Sequence, residues 1–184
     1  MRYRRIIIEN YRSIRGPMEI DLSRRSLLPI IGVNECGKTT ILHAVFAFDY
    51  ANDLLNGGRH LQDTVNLYAT NAPAPRVSAE IELTKDDLKR ALKAVANAPE
   101  WSNNSVVGIH QRKRPKLDGT VRISRSLDTK DYQLAIRGFR NKKLNDAIAR
   151  QVLRRLPYIL YFDDFTGSVD ERVEITTPLS LIHI

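Results

Sequence analysis

Nine consecutive residues constrain this chain more than any others: Gly32-Val33-Asn34-Glu35-Cys36-Gly37-Lys38-Thr39-Thr40. They carry the G-x-x-x-x-G-K-[ST] spacing of a phosphate-binding loop. An apolar run, Leu27-Leu28-Pro29-Ile30-Ile31, precedes them, and an apolar helical pattern, Ile41-Leu42-His43-Ala44-Val45-Phe46, follows. Strand, glycine loop and helix in that order gather successive backbone N–H groups into a concavity for phosphate oxygens, with the positive end of the helix dipole behind it. Gly32 and Gly37 fall where a Cβ would obstruct the phosphate or where φ must be positive.

The same pattern gives each polar residue of the loop a role. Lys38 reaches the β- and γ-phosphates and is the one catalytic candidate. Thr39 offers its hydroxyl to a magnesium ion, a hard cation that bridges phosphate oxygens. Asn34 donates to a bridging or γ-phosphate oxygen, and Thr40 contacts the α-phosphate or supports the first helical turn. Glu35 stands where many transport-type ATPases carry glycine. Cys36 is a small loop residue whose thiol becomes alkylatable if the helix N-terminus and Lys38 lower its pKa. Gly32, Asn34, Glu35, Cys36, Gly37, Lys38, Thr39 and Thr40 are therefore the candidate nucleotide-binding set, for a nucleoside triphosphate with Mg²⁺.

Bulk properties narrow the class. The 184 residues suffice for one domain with a real core and not clearly two. Hydrophobic content of 42% and charged content of 27% are those of a globular protein. A single cysteine excludes a disulfide framework. No apolar stretch approaches a membrane helix, and Met1-Arg2-Tyr3-Arg4-Arg5 lacks the apolar core of a signal peptide, so a cytoplasmic protein without a membrane partner is expected. The formal charge of +8 is concentrated in Ile109–Lys116 and Arg137–Lys143. Those segments read either as solvated strand edges or as a contact for nucleic acid.

Along the chain, residues 3–11 and Met18–Leu22 read as two strands ahead of the loop, with a turn at Ser13–Gly16 between them. Leu27–Ile31 reads as a buried third strand. Two leading strands set this order apart from small nucleotide kinases, which open on the phosphate-loop strand. The loop helix is expected from Thr39 to about Ala51. Arg76–Leu83 alternates as a strand, and Thr84-Lys85-Asp86-Asp87 has the form of a helix N-cap with acids in the first turn. Val106–Lys113 and Thr120–Leu127 are expected to form a hairpin through Asp118-Gly119, with a further strand at Tyr132–Ile136. Asn141–Leu156 carries a helical stripe of Leu144, Ile148, Val152 and Leu156. Tyr158–Phe162 reads as a last apolar strand ending at Asp163-Asp164. Trp101 reads as a packing anchor. The four histidines show no metal-ligand spacing.

Ile8-Glu9-Asn10-Tyr11-Arg12-Ser13-Ile14, Ile20-Asp21-Leu22 and Ile31-Gly32-Val33-Asn34-Glu35-Cys36-Gly37-Lys38-Thr39-Thr40-Ile41-Leu42 together resemble the opening of the OLD, RecF and SMC group of ABC-class ATPase heads. The Asn-Glu-x-Gly-Lys variant looks most like the OLD-type ATPases. The resemblance covers residues 1–50 closely and the rest in layout only. It implies that the triphosphate is ATP, held by an α/β P-loop ATPase lobe with an antiparallel β-subdomain beside it. Residues 1–56 would supply the leading strands, loop and first helix, 57–165 the β-subdomain with its helices, and 166–184 a tail. It also implies that Arg12 and Ser13 approach the bound nucleotide from the first strand. A forked guanidinium suits a triphosphate. The same resemblance implies ATP-driven pairing of two heads, a setting in DNA repair or anti-phage defence, and a Toprim-type nuclease as an attached domain or partner.

Other elements of such heads are not found. No Ser-Gly-Gly signature is present. Tyr158-Ile159-Leu160-Tyr161-Phe162-Asp163-Asp164 has the shape of a Walker B strand, but no signature precedes it and its second acid is Asp. In OLD-like heads a similar stretch falls before the dimerisation insertion. Gln62 and Asp63 lie where a metal-binding glutamine would be sought. The chain therefore reads as the N-terminal part of a longer ATPase, with Thr176–Ile184 as a tail that is truncated or not native. Hydrolysis is expected to be poor without elements supplied in trans. Two other readings stay open: a DNA-binding module whose nucleotide site is regulatory, and a small-molecule kinase.

Overall fold

A computed structural model describes residues 1–23, 27–53, 64–66, 71, 73–101, 119–136 and 141–160. Five strands form one antiparallel sheet: β1 (Arg2–Glu9), β2 (Met18–Asp21), β3 (Arg76–Glu82), β4 (Thr120–Ser126) and β5 (Tyr132–Leu134), in the order β2-β1-β3-β4-β5. Among the described residues three helices accompany it, α1 (Lys38–Phe46), α2 (Lys85–Ala96) and α3 (Lys142–Leu153), with a short 3₁₀ turn at Tyr50–Asp53. The α/β class with an antiparallel subdomain expected from the sequence is the observed one.

Register follows from period-two alternation. One face of the sheet carries the row Ile20, Ile6, Ala79, Ile123 and Leu134 across all five strands. These side chains join one core with Ala44, Val45 and Phe46 of α1, Leu88, Leu92 and Val95 of α2, and Leu144, Ile148 and Val152 of α3. Each large aliphatic side chain buried there contributes roughly 1.5–3 kcal/mol. The opposite face carries the row Asp21, Arg5, Glu80 and Arg122, in which sign alternates from strand to strand. Arg122 donates to Glu80 at 2.7 Å, and Arg5 pairs with Glu19 at 2.9 Å. A one-residue slip would bury this ladder and expose the isoleucines, so both faces specify the same register.

The caps are local. Thr84 accepts from the Asp87 N–H while the Asp87 carboxylate accepts from the Thr84 N–H, a complete capping box for α2. That hydrogen bonding to Thr84 holds the Asp87 carboxyl below its usual range. Asn141 caps α3 by accepting from the Leu144 N–H at 3.1 Å. Trp101 packs against the core, as expected of a packing anchor.

Four expectations need correction or stand outside the described residues. Leu27–Ile31 is not a strand. Leu27 is 63% exposed and Ile31 91%. Among the described residues nothing offers it a ladder of hydrogen bonds, and Pro29 has no N–H to give one. The loop helix stops at Phe46, because the Phe48 N–H turns back to the Val45 carbonyl in a three-residue bond and the chain re-enters as the 3₁₀ turn. The hairpin expected through Asp118-Gly119 is not tested by the described residues, among which β4 lies between β3 and β5. Its expected partner at 106–113 lies outside the described residues. Tyr158–Leu160 is irregular, and Tyr161–Asp164 lies outside them, as do Gln62, Asp63, residues 109–116 and 137–140, and the tail. Among the described residues no helix is long and apolar enough to cross a membrane.

Candidate nucleotide-binding site

The nine-residue motif folds as a turn that runs directly into α1. The Cys36 N–H closes the turn on the Val33 carbonyl at 3.4 Å, and the Ile41 N–H takes the Gly37 carbonyl at 3.1 Å as the first helical bond. Gly37 is the N-cap, at φ +96°, a conformation that L side chains resist. Glu35 is also left-handed, at φ +64°. Glycine at 37 leaves α1 with no side-chain cap. Its first N–H groups are therefore not taken up by a capping side chain, unlike those of α2 and α3.

Lys38 bends back over the loop it follows. Its ammonium donates to the carbonyls of Gly32 at 2.8 Å and Val33 at 2.7 Å. One cation thus ties the entry of the loop to its exit and stands over the turn. A Cβ at Gly32 would lie 2.5 Å from the Cys36 Sγ, so a side chain there would make the exposed thiol turn aside. Asn34, Glu35, Cys36 and Thr39 are exposed, and Thr40 is half-buried.

The first strand delivers a second group to the loop. Tyr11 is buried at 1% exposure and bridges to both Ile14 and Val65. Asn10 and Arg12 on either side of it are left-handed, at φ +54° and +50°. Left-handed backbone at a non-glycine residue costs on the order of 1 kcal/mol or more, and here the buried ring and the Arg12 N–H bond to the Thr64 carbonyl at 3.0 Å hold it. The result is a sharp reversal that places the Ser13 Oγ 3.6 Å from where a Gly37 Cβ would stand. Ser13 is thereby brought to the loop. Arg12, on the same reversal, lays its guanidinium over the Tyr11 ring at 5.7 Å from the centroid.

The far end of α1 is held by side chains that the sequence reading did not single out. Asn52 donates to the Phe46 carbonyl at 3.0 Å and Arg125 to the Ala47 carbonyl at 2.7 Å. The Tyr132 hydroxyl donates to the Phe48 carbonyl and accepts from the Tyr50 N–H at 2.9 Å. Arg125 is 1% exposed, pairs with Asp53 at 2.6 Å, and stacks on Tyr132 at 5.2 Å. Burial pushes the Tyr132 hydroxyl above the usual phenol range and the Asp49 carboxyl above the usual carboxylate range. Asp49 receives the N–H groups of Ala51 and Ile159, while Asn52 donates to the Ile159 carbonyl at 3.0 Å. One signal in the sequence marks this cluster. Arg125 shares its parity on β4 with Val121 and Ile123, so an arginine stands on the core face.

Residues 1–90 match the family model of the AAA ATPase domain. No curated protein matches the sequence. Among solved structures, the chain is similar to one described as "Structural biochemistry of ATP-driven dimerization and DNA stimulated activation of SMC ATPases", at 12% identity and a TM-score of 0.45, over 83% of this chain and 80% of that one. A likeness at that level leaves function to be argued from the loop and from the match of residues 1–90.

Proposed function

We propose that this chain is the ATP-binding lobe of an ATPase related to the OLD, RecF and SMC heads. The observation that carries the reading is the loop itself. A G-x-x-x-x-G-K-T sequence leads into a helix with no side-chain cap, its lysine arches over the turn, and Ser13 is presented beside Gly37. The match of residues 1–90 to the AAA ATPase domain supports it.

The residues fit a triphosphate with Mg²⁺. Loop N–H groups and those of the first turn of α1 donate to phosphate oxygens. Lys38 exchanges its two carbonyl partners for β- and γ-phosphate oxygens. Thr39 is exposed at the helix start and supplies a hard hydroxyl oxygen, the donor type that magnesium takes alongside phosphates and water. When bound, the metal neutralises charge between the β- and γ-phosphates. Asn34, from the loop, and Ser13, beside Gly37, offer polar groups to the phosphate chain, and Arg12 adds a cation to the same reversal as Ser13. In this reading the lobe is cytoplasmic, pairs with a second head when ATP is bound, and serves DNA repair or defence against foreign DNA together with a nuclease.

Binding of a fluorescent ATP analogue tests the assignment. Lys38→Ala is expected to abolish binding in the presence of magnesium. Unchanged affinity would refute the phosphate-loop reading.

A further inference from the structure

We infer that Asn52, Arg125 and Tyr132 are positioning residues for the nucleotide site, acting on it from the opposite end of α1. The inference rests on the reading of residues 32–40 as that site. An α-helix leaves its last carbonyls without intrahelical partners. In α1 and the two residues after it, three successive carbonyls, those of Phe46, Ala47 and Phe48, receive side-chain donors from Asn52, Arg125 and Tyr132. These donors come from the 3₁₀ turn, from β4 and from β5, so the latch ties the helix to the far strands of the sheet. One of the three is a cation at the negative pole of the helix dipole, the favourable end for it.

The two ends of α1 are held unequally. At the loop end Ile31 and Val33 are 91% and 79% exposed, and the exposed residues Asn34, Glu35 and Cys36 follow. At the other end Phe46, Phe48, Asn52 and Arg125 are buried. A helix of nine residues is too short to be stable alone in water. The direction in which its first N–H groups point is therefore set largely by what grips its last turn. The core contacts of Ala44, Val45 and Phe46 fix depth, whereas three directional bonds to consecutive carbonyls also fix rotation about the helix axis. Rotation is the degree of freedom that would turn the Lys38 and Thr39 N–H groups away from a phosphate.

Tyr132→Phe tests this with the least damage, since it removes one hydroxyl and keeps the ring that packs on Phe48 at 5.9 Å. The comparison variant is Leu92→Ala, a buried change on α2, which packs against α3. Affinity for a fluorescent ATP analogue with magnesium and amide hydrogen exchange are read for both, with thermal stability measured alongside. Tyr132→Phe is expected to weaken the analogue roughly three- to tenfold, the scale of one lost hydrogen bond, and to speed exchange at the Ala47 and Phe48 amides. Leu92→Ala, at an equal or greater loss of melting temperature, is expected to leave affinity within about twofold. An unchanged affinity in Tyr132→Phe, or one that falls only in step with melting temperature in both variants, overturns the inference. If Lys38→Ala leaves binding of the analogue unaltered, the site reading falls and the inference falls with it. If Lys38→Ala abolishes binding and Tyr132→Phe does not weaken it, the inference alone is wrong.

Discussion

Replacing Arg125 by methionine separates the electrostatic work of this residue from its packing. Methionine keeps much of the aliphatic stem and removes the guanidinium. Three losses and one gain follow. The carbonyl of half-buried Ala47 loses a donor at 2.7 Å, at a cost toward the low end of the ~1–3 kcal/mol of a fully buried group left unpaired. The charge-assisted bond to Asp53 at 2.6 Å disappears, worth about 1.5–3 kcal/mol before solvent is counted. Asp53 is 30% exposed, so water recovers part of that loss. The contact with the Tyr132 ring at 5.2 Å goes as well. Against these, the cost of holding a guanidinium at 1% exposure is relieved, and its Nε has no hydrogen-bond partner among the described residues.

The balance is about 3 kcal/mol of destabilisation, the low end for breaking one side of a buried ion pair. In a domain of this size that is a fall of roughly 6–12 °C in melting temperature. Thermal unfolding followed by circular dichroism reads it. The double variant Arg125→Met with Asp53→Leu removes both charges and is expected to recover at least about 1 kcal/mol relative to the sum of the single variants, because neighbouring partners do not add. A fall of less than about 3 °C for Arg125→Met, or strict additivity in the cycle, would refute the claim that this pair anchors the end of α1.

Two further perturbations test the site from its ends. The Asp49 carboxyl, raised by burial, holds its proton more tightly in the fold than in the unfolded chain. Its contribution therefore favours folding at pH values below the ordinary carboxylate value of 3.8 and is lost as pH rises through the raised folded value. Asp49→Asn should gain stability relative to wild type as pH is raised through that window, and parallel stability-versus-pH curves would count against a desolvated carboxyl at this position. Gly37→Ala places a Cβ only 3.6 Å from the Ser13 Oγ, an ordinary contact, so its cost is backbone strain at φ +96°. We expect a loss of about 1–2 kcal/mol in chemical denaturation together with weaker binding of an ATP analogue, and a variant as stable as wild type would show that the loop accommodates a side chain there.

How far the sequence reveals this molecule depends on the reach of each signal. β1, β2, β3, α2 and α3 were legible because alternation, the Thr84 capping box and the Asn141 cap are written within a few residues of one another. The turn at residues 32–40 and the helix it opens were legible for the same reason; the family resemblance implied that Arg12 and Ser13 approach a bound nucleotide, and the structure brings Ser13 beside Gly37. The apolar run Leu27–Ile31 was misread because hydrophobicity reports a tendency to be buried, whereas a strand exists only where another strand supplies its hydrogen bonds. The Asp118-Gly119 hairpin is a different case: Gly119 adopts φ +85°, as a turn requires, and β4 has β3 and β5 as neighbours, while the expected partner at 106–113 lies outside the described residues. Arg125 was legible only in part: its parity with Val121 and Ile123 marks it on the core face of β4, but nothing near it in the chain names what it holds. Its partners, Ala47 and Asp53, lie 78 and 72 residues away in the chain, and only the fold brings them to the core face of β4.

The two bonds that Lys38 makes to the Gly32 and Val33 carbonyls change what a phosphate-loop mutation measures. In the free chain the ammonium already has two acceptors at 2.7–2.8 Å, so phosphate does not meet an unsatisfied cation. On the proposed reading, binding would exchange carbonyl oxygens for phosphate oxygens, and the net gain would be the difference between two sets of charge-assisted bonds. Lys38→Ala removes both sets. The loss of affinity it produces therefore understates the phosphate contact by whatever the carbonyl contacts contributed to closing the loop. That contribution has its own signature: an alanine here should loosen the free loop as well, speeding hydrogen exchange at the Cys36 amide before any nucleotide is added. Since the Cys36 N–H closes the turn on the Val33 carbonyl at 3.4 Å, its exchange rate reads the closure of the loop independently of the ligand. A lysine that met only phosphate would leave it untouched.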